Sequence, residues 1–153
     1  MKRFYFLSLI FLSLVFTSCD WYSCGGYYGD HRQSQTTLQA GGIKVNTYLL
    51  SDQDCYYDGK TVHYIISNFS GKTITNVYFY IEMRDYYNDK CYCEHCGNYF
   101  VTDDFNGSFY HGNTYDLISF ERFCNSRACR SHIKQCWVTF SDGSRRELNC
   151  GYY

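Results

Sequence analysis

From Ile43 onward, apolar and polar positions alternate in short runs. Ile43, Val45, Thr47 and Leu49 alternate with Lys44, Asn46 and Tyr48. Val62, Tyr64 and Ile66 alternate with His63 and Ile65, and Val77, Phe79, Ile81 and Met83 with Tyr78, Tyr80, Glu82 and Arg84. Residues 115–120, 133–140 and 145–150 continue the series. A period of two in segments rich in β-branched and aromatic residues predicts half-buried strands. No segment carries the 3.6-residue apolar stripe of an amphipathic helix. Turn residues separate the runs: Asp58-Gly59, Asn68-Phe69-Ser70-Gly71 and Asp142-Gly143, where Gly, Asn and Asp tolerate the backbone of tight turns. The prediction is an all-β chain, an antiparallel sandwich of about seven strands.

Residues 43–153 form this domain, with a cysteine-rich insertion near 86–96. Before it, residues 19–42 hold Gly25, Gly26, Gly29, Gly41 and Gly42 among Ser, Gln and Thr with no hydrophobic period, which predicts a tether. The chain opens with Lys2 and Arg3, followed by an uncharged apolar run over residues 4–16. At the α-helical rise that run is about 20 Å long, too short for a comfortable membrane span. Residues 1–18 therefore fit a secretory signal peptide. The signal ends Phe16-Thr17-Ser18-Cys19, and small residues before a Cys resemble a bacterial lipobox. The resemblance implies cleavage before Cys19 and acylation of its thiol, a diacylglyceryl group with palmitate-type chains, which anchors stably where one chain would be marginal. Phe16 departs from the strict pattern, which prefers Leu. Ordinary signal cleavage, with Cys19 as one more disulfide partner, is the alternative.

The stretch HYIISNFSGKTITNVYFYIEMRD resembles the central hairpin of bacterial immunoglobulin-like domains of the FxLYD type. In these an N-x-S-x-K-T-I turn leads into a long strand ending near an Asp. Asn68, Ser70, Lys72, Thr73, Ile74 and Asp85 match that pattern. The resemblance implies an immunoglobulin-like sandwich in an exported protein, and it carries no catalytic residue across.

The chain has 10 Cys and no Pro, a thiol content high for a reducing compartment. Cys91, Cys93 and Cys96, with His95 between them, are the densest cluster; Cys124 and Cys129 are spaced C-x4-C. In an exported chain these are disulfide candidates, as are Cys136 and Cys150, which flank the Asp142-Gly143 turn. Two local pairings are expected, Cys124 with Cys129 and Cys136 with Cys150. The alternative is a zinc-binding module using Cys91, Cys93, His95 and Cys96, although the second C-x-x-C of a zinc ribbon is missing. Thioredoxin-type chemistry at Cys93-x-x-Cys96 would want a helix N-terminus to lower the thiol pKa, and nothing around residues 91–96 reads as helical.

Lys+Arg number 14 against 15 Asp+Glu, so the basic excess of a nucleic-acid binder is missing. Aromatics at 21% exclude a disordered chain. The scattered histidines and the absence of Gly-x-Ser-x-Gly and of a Gly-rich phosphate loop give no catalytic set and no cofactor site. Asp103-Asp104 read as a solvated loop pair, too few oxygens for Ca²⁺. The remaining signal is tyrosine in expected loops: Tyr56, Tyr57, Tyr86, Tyr87, Tyr92 and Tyr99. Tyr gives rigid amphipathic contact area, so these residues are the expected binding surface for a protein or glycan. The sequence thus predicts a non-enzymatic binding or structural lipoprotein of the bacterial cell envelope, held to the membrane by its lipid and facing the periplasm or the cell surface.

Overall fold

A computed structural model describes residues 36–52 and 59–148. These form nine strands: β1 (Thr36–Ala40), β2 (Ile43–Asp52), β3 (Gly59–Asn68), β4 (Ile74–Arg84), β5 (Phe100–Phe109), β6 (Asn113–Ile118), β7 (Phe123–Cys124), β8 (Arg130–Phe140) and β9 (Arg145–Glu147). One sheet has the order β1-β2-β3-β6, with β7 beside the start of β3; the other has the order β5-β4-β8-β9. All pairings are antiparallel. β2, β3 and β6 take the places of strands A, B and E of an immunoglobulin-type sandwich, and β5, β4, β8 and β9 those of C′, C, F and G.

The alternation predicted from sequence sorts the side chains. Val62, Tyr64 and Ile66 of β3 and Val77, Phe79, Ile81 and Met83 of β4 are fully buried between the sheets. Two bulges break the period. Ile74 and Val77 both face the core although three residues apart, because the register of β4 shifts between Ile74 and Asn76. Ile133 and Cys136 of β8 do the same across a shift against Tyr80 and Ile81. One extra residue in a strand moves the following side chains to the other face.

At the centre, Tyr64 stacks on Phe79 with ring centroids 4.4 Å apart, and Phe105 meets Tyr64 edge-on at 5.3 Å. Each such ring contributes about 1.5–3 kcal/mol by burial. The Tyr64 hydroxyl donates to Asp103 Oδ2, and Asp103 Oδ1 accepts the Phe120 N–H at 3.0 Å. Burial, with the Asp103 carboxylate beside it, pushes the Tyr64 phenol far above its ordinary range, so it remains a donor. Asp103 is thus a core residue of β5 rather than half of a solvated loop pair. Its neighbour Asp104 faces outward and accepts from Asn76 Nδ2.

Two other sequence expectations, at β1 and at the Asn68–Gly71 turn, are corrected, and the strand count and the last turn are refined. The first sheet begins before Ile43: residues 36–40, read as tether, form β1. Gly41 and Gly42, at φ +54° and +78°, make the two-residue turn into β2, the backbone such hairpins require. There are nine strands among the described residues instead of about seven, the additions being short or peripheral. The Asn68–Gly71 turn joins strands of different sheets and is not a hairpin. Buried Asn68 locks it, donating to Lys72 O and Phe109 O, both at 2.8 Å, while its Oδ1 accepts the Ser70 N–H at 3.0 Å and the Ser70 hydroxyl at 2.7 Å. Finally, the β8–β9 turn uses three residues, with Phe140 and Ser144 paired across it and Gly143 at φ +80°. That register sets Cys136 opposite Leu148, whose N–H reaches Cys136 O at 2.8 Å. Cys150, its expected partner, lies outside the described residues.

β9 ends the second sheet with three exposed charged residues, Arg145, Arg146 and Glu147. Arg145 lies over the Trp137 ring at 5.2 Å and Arg146 over Phe140 at 5.4 Å, so both guanidinium groups lie against the sheet through cation–π contact.

Three substitutions test this packing. Tyr64→Phe leaves buried Asp103 Oδ2 without its donor and should lower unfolding free energy by about 1–3 kcal/mol in urea titrations. Gly42→Ala should cost more than Gly71→Ala. Both sites have φ near +80°, at +78° and +81°, but a Cβ on Gly42 would sit 2.5 Å from Phe69 O, while that on Gly71 meets nothing within 4 Å. The left-handed backbone alone accounts for about 1–2 kcal/mol at each site.

Candidate functional site

β4 carries the chain out of the core into residues 85–99, and the polar groups at its exit set the shape of this loop. Asp85 is buried at the strand end. Its Oδ1 accepts the N–H groups of Tyr87 and Asp89, both at 2.9 Å, and its Oδ2 receives Arg127 at 2.5 Å. An Asp accepting from residues two and four ahead bends the chain back on itself. The return strand pairs Lys90 with Arg84, and the Cys91 N–H reaches Met83 O at 2.9 Å. Buried Glu82 takes Arg84 on one oxygen and Lys90, at 2.7 Å, on the other. Burial alone would raise the Asp85 and Glu82 carboxyls; the hydrogen bonds and cations around them outweigh it and hold both below the usual carboxylate range.

A second turn follows. Cys93 pairs with Asn98, and Cys93 and Cys96 form a disulfide with Cα atoms 5.2 Å apart. Gly97, at φ +72°, donates its N–H to Cys93 O at 2.8 Å. The segment carrying Cys124 and Cys129 packs against this turn. The Cys124 N–H points at Cys93 Sγ from 3.3 Å, Asn125 Nδ2 donates to Tyr92 O at 2.8 Å, and the Cys129 N–H donates to Arg84 O at 3.0 Å. Two loops distant in sequence are therefore joined by backbone and side-chain bonds at one end of the sandwich.

This end gathers Cys91, Cys93, Cys96, Cys124 and Cys129. Of the pairings read from sequence, Cys124 and Cys129 are not joined to each other; the disulfide between described residues is Cys93–Cys96. Cys136 lies in the core of β8 opposite Phe79. The zinc alternative is also altered: two of its thiols share the disulfide, Cys91 is buried, and His95 is exposed on the turn. Among the described residues no three His, Cys, Asp or Glu side chains converge as a metal site. Cys19, Tyr56 and Tyr57 lie outside the described residues.

The remaining tyrosines share this end. Tyr86, Tyr87, Tyr92 and Tyr99 are 44%, 79%, 43% and 47% exposed. Tyr92 and Tyr99 meet edge-on at 4.9 Å, as do Tyr86 and Tyr87 at 5.4 Å, and Arg130 lies over Tyr86 at 5.6 Å. The sequence reading found these rings but missed Asp85 as the residue that shapes their loop. The run Asp85-Tyr86-Tyr87-Asn88-Asp89 held the signal, since Asp followed by Asn and Asp marks a side-chain-closed turn. Its partner Arg127, 42 positions away, had no local mark. Comparison of the chain with protein-family models, curated proteins and solved structures gave no match.

The lowered carboxyls give this end a pH dependence. A group whose folded pKa is depressed stabilises the fold above its unfolded pKa, and that stability is lost as pH falls through the folded value. Unfolding free energy should therefore fall once pH drops below about 4. Asp85→Asn should be destabilised relative to the wild type at pH 7, and the difference should shrink by pH 2–3, as read by denaturant titration at each pH.

Proposed function

We propose that this chain is an exported bacterial lipoprotein whose immunoglobulin-like sandwich presents a rigid, tyrosine-lined loop that captures a protein or glycan at the cell envelope without catalysing a reaction. The observation that carries this reading is the pairing of exposure with rigidity. Four tyrosines stand in solvent on a loop closed by a disulfide and by the Asp85 turn. Ordering side chains at an interface costs about 0.5–1.5 kcal/mol per rotamer-rich group. A Tyr on a fixed backbone, already in contact with a second ring, has less of that freedom to lose. Aromatic and Arg side chains are also the groups that carry most binding energy at interfaces, and Arg130 and Arg127 flank the tyrosines.

Export and anchoring rest on residues 1–19. The resemblance to FxLYD-type domains has a physical counterpart. Asn68, Ser70 and Lys72 lock the start of β4, and Asp85 locks its end.

The test has two parts. Cys19→Ser should abolish metabolic labelling with palmitate and move the protein from the membrane to the soluble fraction. A photo-crosslinking residue in place of exposed Tyr87 should give discrete adducts on intact cells, and replacing Tyr92 and Tyr99 with Ala should remove them. If those rings act as hot spots, each loss is worth about 2 kcal/mol or more, roughly 30-fold in affinity. Adducts that persist in the double variant would refute the tyrosine surface.

A further inference from the structure

The two sulfurs of the Cys93–Cys96 disulfide have opposite surroundings. Cys93 is fully buried, and its Sγ receives two backbone N–H groups, from Cys96 at 3.0 Å and from Cys124 at 3.3 Å. Cys96 is half-buried, and its Sγ lies 3.1 Å from the carbonyl oxygen of Arg122. A disulfide sulfur is neutral, carries no proton and is a weak acceptor. Two donors aimed at one sulfur and an acceptor at the other match a different state of the pair. In the reduced state a Cys93 thiolate takes both N–H bonds, and a Cys96 thiol donates its S–H to Arg122 O. Hydrogen bonds to an ionised group are roughly twice as strong as neutral ones. Donors to a thiolate lower its pKa and make it a better leaving group. The donors come from two separate segments and do the work a helix N-terminus does in other redox sites.

We propose that Cys93–Cys96 is a thiol–disulfide exchange site that accepts two electrons from an external dithiol, of the kind carried by reduced exported proteins. The dithiol's first thiolate attacks Cys96 Sγ, the sulfur open to solvent. A bond forms from the incoming sulfur to Cys96, the Cys93–Cys96 bond breaks, and its electron pair leaves on Cys93 as the thiolate. The second thiolate of the dithiol then attacks its own mixed-disulfide sulfur and displaces Cys96. Cys96 takes one of the two protons the dithiol has lost, and the other goes to solvent. The dithiol ends as a disulfide and the cysteine pair as thiolate and thiol, so two electrons have moved. The exposed ring of Tyr92, on the same loop, has its hydroxyl 3.9 Å from where a Cβ on Gly97, the residue after Cys96, would sit.

The test uses the folded full-length chain and glutathione as the probe thiol. The protein is equilibrated with mixtures of reduced and oxidised glutathione, quenched in acid, alkylated and read residue by residue by peptide mass spectrometry. Reversible reduction of Cys93–Cys96 without denaturant is expected, with the glutathione adduct on Cys96 at least tenfold above that on Cys93. A pair that resists glutathione until the chain is denatured is a structural staple, and that result overturns the proposal, as does an adduct mainly on Cys93. A second measurement reads the donors directly. In Cys96→Ser, carrying ¹³C-labelled cysteine, the Cβ resonance of Cys93 should titrate at least about one pH unit below the ordinary thiol value near 8.5. Titration at or above that value overturns the role given to the two N–H groups.

Discussion

A phenol buried between two apolar sheets must find an acceptor for its O–H, and in this protein Asp103 is that acceptor. The consequence travels outward from the core. Tyr64 lies against Phe79 and Phe105, so its ring cannot move without opening the sandwich. Its hydroxyl fixes one oxygen of Asp103, and the other oxygen holds the backbone of Phe120. Phe120 begins the segment that carries Cys124, Asn125 and Arg127. Those three residues reach the cysteine-rich loop through Cys93 Sγ, Tyr92 O and Asp85. A hydrogen bond in the middle of the molecule thus sets the height at which two surface loops meet. The cost of leaving a buried polar group unpaired is what makes that linkage stiff.

Much of the sandwich was legible because burial on one face writes itself into the sequence as alternation. β3, β4 and β8 read correctly for that reason. β1 did not, because Gly25 to Gly42 dominate the composition there and conceal Leu38 and Ala40, which pack against Ile43 and its neighbours. The Gly41-Gly42 pair was itself a hairpin signal, masked by other glycines. Asp103 read as a solvent-exposed loop residue because its partner lies 39 positions earlier. Alternation places it on the same face as Val101 and Phe105, but in the sequence its charge outranked that clue. The rings of the candidate surface were visible as loop tyrosines. Cysteine pairing was not, because spacing alone leaves many connectivities open and backbone geometry chooses among them.

The cysteine-rich loop combines two devices that are usually separate. A short covalent ring restricts residues 93–96, and a buried carboxylate restricts residues 85–89. Both act beside the buried Cys91 and Cys93, which tie the loop to the apolar core. The rings of Tyr86, Tyr87, Tyr92 and Tyr99 are therefore free to face water, since the loop does not need them as its own core. An insertion that looks like a departure from the sandwich pattern is an appendage with its own means of holding shape.

The charged strand β9 has a consequence for how copies of the molecule can stand beside one another. A sheet edge with unpaired backbone groups invites a neighbour to add a strand. Here the last strand is three residues long, and its two arginines lie against Trp137 and Phe140. An approaching copy would have to displace cations already held on aromatic faces. Where copies of the domain are crowded together, that edge is a poor template for a neighbour's strand.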